Sequence, residues 1–294
     1  MKRRLSVNRG HGSGFESGPE SFQAVLNWNM NILETVGKST IEKLEYLGGL
    51  TVQFWRGFLA SRQANPITGN RLRWKATVLQ MAIVGVHALP VVCLISACTG
   101  LILALQAGAE LRQFGALQFV INLVGVSMTR ELGPLMTAVV VIGRSGSAFS
   151  AEIGTMVVTE EIDALRAMAL DPVEFVLAPK YLAMMAMMPC LTIAADTAGV
   201  LAGGIYTLYA LDMSMNLYVQ ATLEVLLTRD IVSGLVKSIA FGTIIVHVGC
   251  FEGFQVRGGP EGVGRATTSA VVKSIFLVVL ADLLFTAFFY FFWQ

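Results

Sequence analysis

The sequence predicts an all-α membrane protein: an N-terminal interfacial amphipathic helix, five transmembrane helices and one charged helix on the cytoplasmic side. Three observations carry this reading. Hydrophobic residues make up 54% of the 294 positions and charged residues 14%, against about 45–50% and 25% in soluble domains. Uncharged runs recur that exceed the ~20 apolar residues needed to cross a bilayer, without the alternating strands of about ten residues that mark a membrane β-barrel. Charge is also lopsided: eleven of the 21 Lys and Arg precede Ala76, and none follows Lys273.

Residues 1–40 read as a basic, disordered tail. Lys2, Arg3, Arg4 and Arg9 stand among Gly and Ser, and the apolar core of a signal peptide is missing. Residues 41–294 read as one membrane domain. Its first element places Leu44, Leu47, Thr51, Phe54, Trp55 and Phe58 at three- and four-residue steps, with Lys43, Gln53, Arg56 and Arg62 between them. That pattern suits a helix lying in the interface, and Asn65-Pro66 ends it. Arg71, Arg73, Trp74 and Lys75 form a basic, aromatic collar before the first crossing.

Residues 76–109 carry no charge, and Pro90 within them predicts a kink. Glu110, Arg112 and Gln113 mark the exit. The second apolar region, residues 114–150, is interrupted by Arg130-Glu131. A short charged helix over residues 159–170 follows, ending at Asp171-Pro172. Lys180 and Tyr181 open the third crossing, whose Gly199, Gly203 and Gly204 allow close helix packing. Residues 212–230 read as a loop with a short helix, and residues 231–251 as the fourth crossing. A Gly-rich polar loop spans residues 252–273. The fifth crossing, residues 274–293, ends in the aromatic run from Phe288 to Trp293.

Counting Lys and Arg beside the crossings gives an orientation. With the N-terminus inside, the cytoplasmic segments hold the eleven early charges plus Arg144, Arg166, Lys180, Arg257, Arg265 and Lys273; the opposite side holds Arg112, Arg229 and Lys237. The N-terminus is therefore expected in the cytoplasm and the C-terminus outside. The charged helix and the Gly-rich loop then face the cytoplasm.

Arg130 and Glu131 stand out because charges inside a membrane are costly and usually face a bundle interior or a wet cavity. Lys237 is a candidate partner or head-group contact. Asp196 and Asp282 read as helix-to-helix hydrogen-bonding groups. In the charged helix, Ile162, Leu165, Ala169 and Leu170 fall on one side and Glu160, Glu161, Asp163 and Arg166 on the other. Acidic groups suit a helix N-terminus but repel an anionic leaflet, so a protein partner fits that face better.

Enzyme chemistry finds little support. Gly143-Arg144-Ser145-Gly146 fits the GxSG pattern of intramembrane serine proteases, with His247 on a later crossing, but a dyad needs hydrogen-bond contact between them. Val36-Gly37-Lys38-Ser39 ends like a P-loop, yet Ile32 stands where the first glycine is required. Any ATPase is therefore a separate subunit. Cys93, Cys98, Cys190 and Cys250 sit in apolar segments with no CxxC pair, which points to neither a zinc site nor a disulfide framework.

The stretch RELGPLMTAVVVIGRSGSAFSAEIGTMVVTEEIDALRAMALDP strongly resembles the signature region of the MlaE/YrbE-type ABC transporter permeases, and GGPEGVGRATTSAVV resembles their second cytoplasmic loop. The similarity runs from about Leu44 to the C-terminus; Pro260 stands where alanine is commoner. The resemblance implies a homodimer in a bacterial inner membrane, with ATP-binding cassette ATPase subunits below and MCE-domain lipid-binding subunits above. It implies phospholipid movement between inner and outer membranes, maintaining outer-membrane lipid asymmetry, with ATP and Mg confined to the partner. No cofactor, metal or nucleic acid is expected for this chain. Glu160, Glu161, Asp163, Leu165, Arg166 and Leu170 would couple to the ATPase. Arg130, Glu131 and Lys237 would meet lipid near the dimer interface, where Leu103, Gln106, Leu111 and Phe114 line the pocket. The competing expectations are a non-transporting membrane scaffold for the ring and ATPase, and the Ser145/His247 protease.

Overall fold

The computed structural model describes residues 41, 44–46, 48–57, 59, 71–116, 118–210 and 214–292. The predicted tail, Leu47, Phe58, Asn65-Pro66 and Trp293 lie outside the described residues. Two units are distinguished, residues 1–49 and 50–294. The described residues of the first are helical. In the second, residues 50–57 are helical, with Gln53 and Gly57 turned inward and Trp55 exposed. A Cβ on Gly57 would come within 2.6 Å of Leu177, so glycine lets this helix lie close against the bundle.

The bundle runs α1 (Trp74–Gln113), α2 (Phe119–Val158), the short α3 (Glu161–Ala167), α4 (Val173–Tyr209), the short α5 (Met215–Val225), α6 (Thr228–Phe254) and α7 (Pro260–Phe292). The five long helices are each long and apolar enough to span a membrane, as the sequence predicts. The α6–α7 turn lies against the last part of α2, close before α3: a Cβ on Gly154 of α2 would meet Val256 and Val263.

π-helical turns occur in three of the long helices: Ala82–Val86 interrupts α1, Met128–Leu132 and Ile142–Gly146 interrupt α2, and Val173–Leu177 opens α4. Such turns misalign the backbone ladder. The carbonyl of Ile83 accepts from Arg144 Nη1 at 2.9 Å. Pro90 sits in the first turn of Leu89–Gln113, just past the π turn, where its missing N–H costs nothing. The expected break in α1 therefore falls before the proline.

Packing rests on small residues. A Cβ on Gly100 of α1 would lie 2.1 Å from the Gly199 carbonyl oxygen of α4, and one on Gly249 of α6 would lie 2.8 Å from the Gly146 carbonyl oxygen of α2. Backbones in contact leave no room for side chains, which is the membrane solution to tight association. Phe149 and Ile153 of α2, Met184, Met188 and Leu191 of α4, and Phe241 and Ile245 of α6 fill the core between these contacts.

Three boundaries differ from the sequence reading. The charged helix stops at Ala167, not Leu170, because Ala169 adopts a left-handed backbone (φ 57°). Asp171, read as a terminator, instead caps the next helix by accepting from Val173 N at 2.9 Å. α4 thus begins at Val173, and Lys180 lies inside it, buried, donating to Glu152 of α2 at 2.7 Å. The Gly-rich loop is also much shorter than residues 252–273. Gly258 (φ 85°) and Gly259 (φ 74°) make the turn, and Pro260 opens α7. Glycine density suggested a loop, yet Gly262 lies in the first helical turn, where a Cβ would come 2.1 Å from the Arg257 carbonyl oxygen.

Candidate functional site

The π turn at Met128–Leu132 sends two adjacent charged side chains of α2 in different directions. Arg130 Nε lies 3.8 Å from Asp230 Oδ1, and Asp230 Oδ2 also accepts from Leu227 N at 3.1 Å, closing the first turn of α6. Glu131 turns instead toward the centre of the bundle, where its carboxylate meets Lys237 Nζ of α6. Lys237 is 1% exposed. It also pairs with Asp282 of α7 at 2.9 Å and donates to Thr286 Oγ1 at 2.7 Å. The Thr286 hydroxyl lies 3.1 and 3.2 Å from the two Glu131 oxygens. A hydroxyl carries one proton, so Thr286 accepts from the lysine and donates to the glutamate.

The network therefore joins α2, α6 and α7 through one cation shared by two carboxylates. Its formal balance is one negative charge in excess, and the Glu131 side chain is a third exposed. A buried ammonium held this way has its charge compensated within the bundle, and the partly open carboxylate is left to meet a polar or cationic group from outside.

The residues named for a lipid site from α1 lie elsewhere. Leu103 and Leu111 are half-buried, packed against Ala104, Val120, Val124 and Met128. Gln106 and Phe114 are exposed, Phe114 at 79%. The structure thus brings Glu131 and Lys237 together, turns Arg130 to a different partner, and leaves Gln106 and Phe114 on the surface.

At the opposite end of α2, α3 is flanked by two non-glycine residues in the left-handed region, Glu160 (φ 62°) and Ala169. Ile162 and Leu165 are buried and fasten the helix to the bundle. Leu165, named among the coupling residues, faces the core rather than the surface. Glu160, Glu161, Asp163, Arg166 and Leu170 are exposed, as is Met168, which that reading passed over. Arg166 Nη1 pairs with Asp163 Oδ1 at 2.9 Å on the open surface.

Sequence reasoning read Asp282 as a helix-to-helix bonding group, and the structure pairs it across helices with Lys237, but the reading did not connect the two and missed Thr286. Asp282 and Thr286 stand four residues apart on one face of α7, and that i, i+4 spacing of polar groups in an apolar run was the available signal. It also missed a second set of ion pairs near α3: Lys180–Glu152 at 2.7 Å, and Lys273–Glu252 at 2.8 Å. Outside the spans, burial pushes the Tyr218 phenol of α5 up, with its Thr222 hydrogen bond opposing the shift; its hydroxyl donates to the Val200 carbonyl at 3.0 Å.

The protease reading fails on geometry. Ser145 Oγ and His247 Nε2 are both buried with no hydrogen-bond partner among the described residues, so they are not bonded to each other. His247 instead lies between the rings of Phe54 and Tyr181, at 5.0 and 5.3 Å.

Five helices long and apolar enough to cross a membrane, an ion network joining three of them and an exposed charged helix describe a polytopic membrane protein. The chain belongs to the MlaE permease family, whose model, described as Permease MlaE, matches residues 77–288. It is 36% identical over 261 residues to a probable ABC transporter permease protein of Rickettsia bellii, covering 89% of this chain and 98% of that one. It is 31% identical over 262 residues to the intermembrane phospholipid transport system permease protein MlaE of Haemophilus influenzae, covering 88% and 97%. It is 33% identical over 240 residues to the chloroplastic protein TRIGALACTOSYLDIACYLGLYCEROL 1 of Arabidopsis thaliana, covering 80% and 69%.

Proposed function

We propose that this chain is the inner-membrane permease subunit of an ABC transporter that moves phospholipid between the inner and outer membranes of a bacterium, and so maintains outer-membrane lipid asymmetry. The observation that carries the reading is the Glu131–Lys237–Asp282–Thr286 network, because charges at membrane depth mark substrate pathways and one of these carboxylates is partly open. The name of the Haemophilus influenzae relative supports the same substrate.

In this reading the chain works as a homodimer, N-terminus in the cytoplasm and C-terminus in the periplasm. ATP and Mg are bound by a separate ATPase, and an MCE-domain subunit stands on the periplasmic side. The exposed residues Glu160, Glu161, Asp163, Arg166 and Leu170 dock the ATPase, while buried Leu165 transmits its movement into the core. Gln106 on α1 and Phe114 just past its end, both exposed, face the second copy and with Leu103 and Leu111 border the lipid path.

The test is native mass spectrometry of the complex purified after co-expression with its genomic neighbours. The expected species is a permease dimer with two ATPases, an MCE-domain ring and retained phospholipid. A lipid-free monomer without partners would overturn the reading, and an assembled complex devoid of lipid would favour the scaffold.

A further inference from the structure

The turn between α6 and α7 borders an open cleft of about 490 Å³. Glu252 of α6, Gln255 and Arg257 of the turn, and Arg265 and Ser269 of α7 line it. Val256, also in the turn, packs on Gly154 in the last part of α2, close before α3. The cleft is therefore polar and opens at the end of α2 that carries the charged helix.

Two pairs of charges around the cleft are settled within the chain. Glu252 is 6% exposed, and Lys273 donates to it at 2.8 Å. Arg265 pairs with Glu261 one turn earlier, also at 2.8 Å, with both side chains in the open. Arg257 is different. It is exposed, and its guanidinium makes no ion pair or hydrogen bond among the described residues. The cleft and its rim thus hold Arg257, Arg265 and Lys273 against the carboxylates of Glu252 and Glu261, one positive charge in excess. The Lys180–Glu152 pair adds no net charge. The exposed side of α3 has the opposite sign, with Glu160, Glu161, Asp163 and, just beyond, Asp171 against Arg166 alone.

A protein that binds across both features needs a basic surface for α3 and an acidic group for the turn. Two patches of opposite sign admit one orientation of the partner and penalise the reverse one. We propose that the cleft at the α6–α7 turn is a second docking point for the ATPase subunit, where a carboxylate of that subunit meets Arg257. A guanidinium matches a carboxylate with two parallel N–H donors, and Gln255 and Ser269 add polar contacts beside it. The inference rests on the reading above that α3 docks the ATPase, and it adds where, and with which charge, that subunit makes its other contact. The position has a mechanical consequence. α3 connects α2 and α4, whereas a partner held on Arg257 also grips α6 and α7, the two helices joined by the Lys237–Asp282 pair.

The test uses the full complex, made by co-expression with its genomic neighbours and purified through a tag on this chain. The photo-crosslinking amino acid p-benzoylphenylalanine replaces Gln255 in one variant and Met168, exposed beyond α3, in another. Adducts are mapped by peptide mass spectrometry. The Gln255 variant is expected to capture an ATPase peptide containing Asp or Glu, distinct from the one captured at Met168. In titrations of the ATPase against the chain in nanodiscs, Arg257→Glu should weaken binding at least about tenfold, the factor of one charge-assisted hydrogen bond, with the melting temperature of the chain unchanged. Arg257→Lys should keep most of the affinity. Reversing the acid in the captured peptide should restore binding to Arg257→Glu, which a purely structural role of the arginine would not allow. Capture at Met168 without capture at Gln255, capture of lipid or a second copy alone at Gln255, or undiminished binding in Arg257→Glu would each overturn the second docking point and leave α3 as the ATPase site. Absence of the ATPase from the purified complex would overturn the docking reading itself, and this inference with it.

Discussion

Lys237 of α6 and Asp282 of α7 lie 2.9 Å apart, with Lys237 1% exposed and the Asp282 side chain 16% exposed. The pair holds two antiparallel helices together, and Glu131 brings in a third. Removing the cation leaves two carboxylates facing each other in apolar surroundings. Lys237→Met is therefore expected to destabilise the fold by about 3–5 kcal/mol. The triple variant Lys237→Met, Asp282→Asn, Glu131→Gln should recover most of that loss. Thermal unfolding in detergent, followed by size-exclusion chromatography, measures both; equal stability of the single and triple variants would count against the network.

The two sides of α3 are expected to respond differently. Ile162→Ala empties a buried site and should cost about 2–4 kcal/mol. Met168→Glu, at an exposed position, should leave thermal stability unchanged and reduce recovery of the ATPase in a pull-down. Glu161→Lys with Asp163→Lys should do the same by charge reversal. Unimpaired recovery in both surface variants would place the docking site elsewhere.

Contact between backbones at Gly100 and Gly199 leaves no space for even a methyl group. Gly100→Ala should cost more than about 1 kcal/mol, the usual penalty of overpacking. Gly143→Ala, with nothing among the described residues within 4 Å of its Cβ position, should stay within about 0.5 kcal/mol. Melting temperatures of the two variants side by side decide this.

Left-handed backbone at Glu160 and Ala169 is strained for any residue with a Cβ. Ala169→Gly should stabilise the α3 turn by about 1 kcal/mol, offset by the greater freedom glycine has when unfolded. Slower hydrogen exchange of the α3 amides would register the gain; faster exchange would contradict it.

Hydropathy made the five crossings legible, because length and absence of charge are properties of a single segment. Helix ends were harder. Lys180 looked like a boundary marker and proved to be a buried ion-pair partner of Glu152, since a charge near an apolar run reads the same whether it faces water or a neighbouring helix. The network was half-legible. Arg130, Glu131 and Lys237 were conspicuous as charges, but the choice of Asp282 for Lys237 and Asp230 for Arg130 depends on how α2, α6 and α7 are rotated about their axes. The π turns that set that rotation for α2 leave no mark in composition. Leu165 was placed on the apolar side correctly, yet whether that side meets a partner or the protein's own core is decided by tertiary packing.

α7 runs from Pro260 to Phe292 without a π turn or an internal proline, and α6 is likewise unbroken, whereas π turns interrupt α1 and α2, and α4 opens on one and carries Pro189 within it. The unbroken pair is riveted at two heights, by Glu252–Lys273 near α3 and by Lys237–Asp282 further up. Along α6 these rivets are 15 residues apart, about 22 Å. Two rivets on two stiff rods forbid them to slide or swivel independently. Any push received near the α6–α7 turn therefore arrives at Glu131 undiminished, as through a strut, while the jointed helices around it take up the bend.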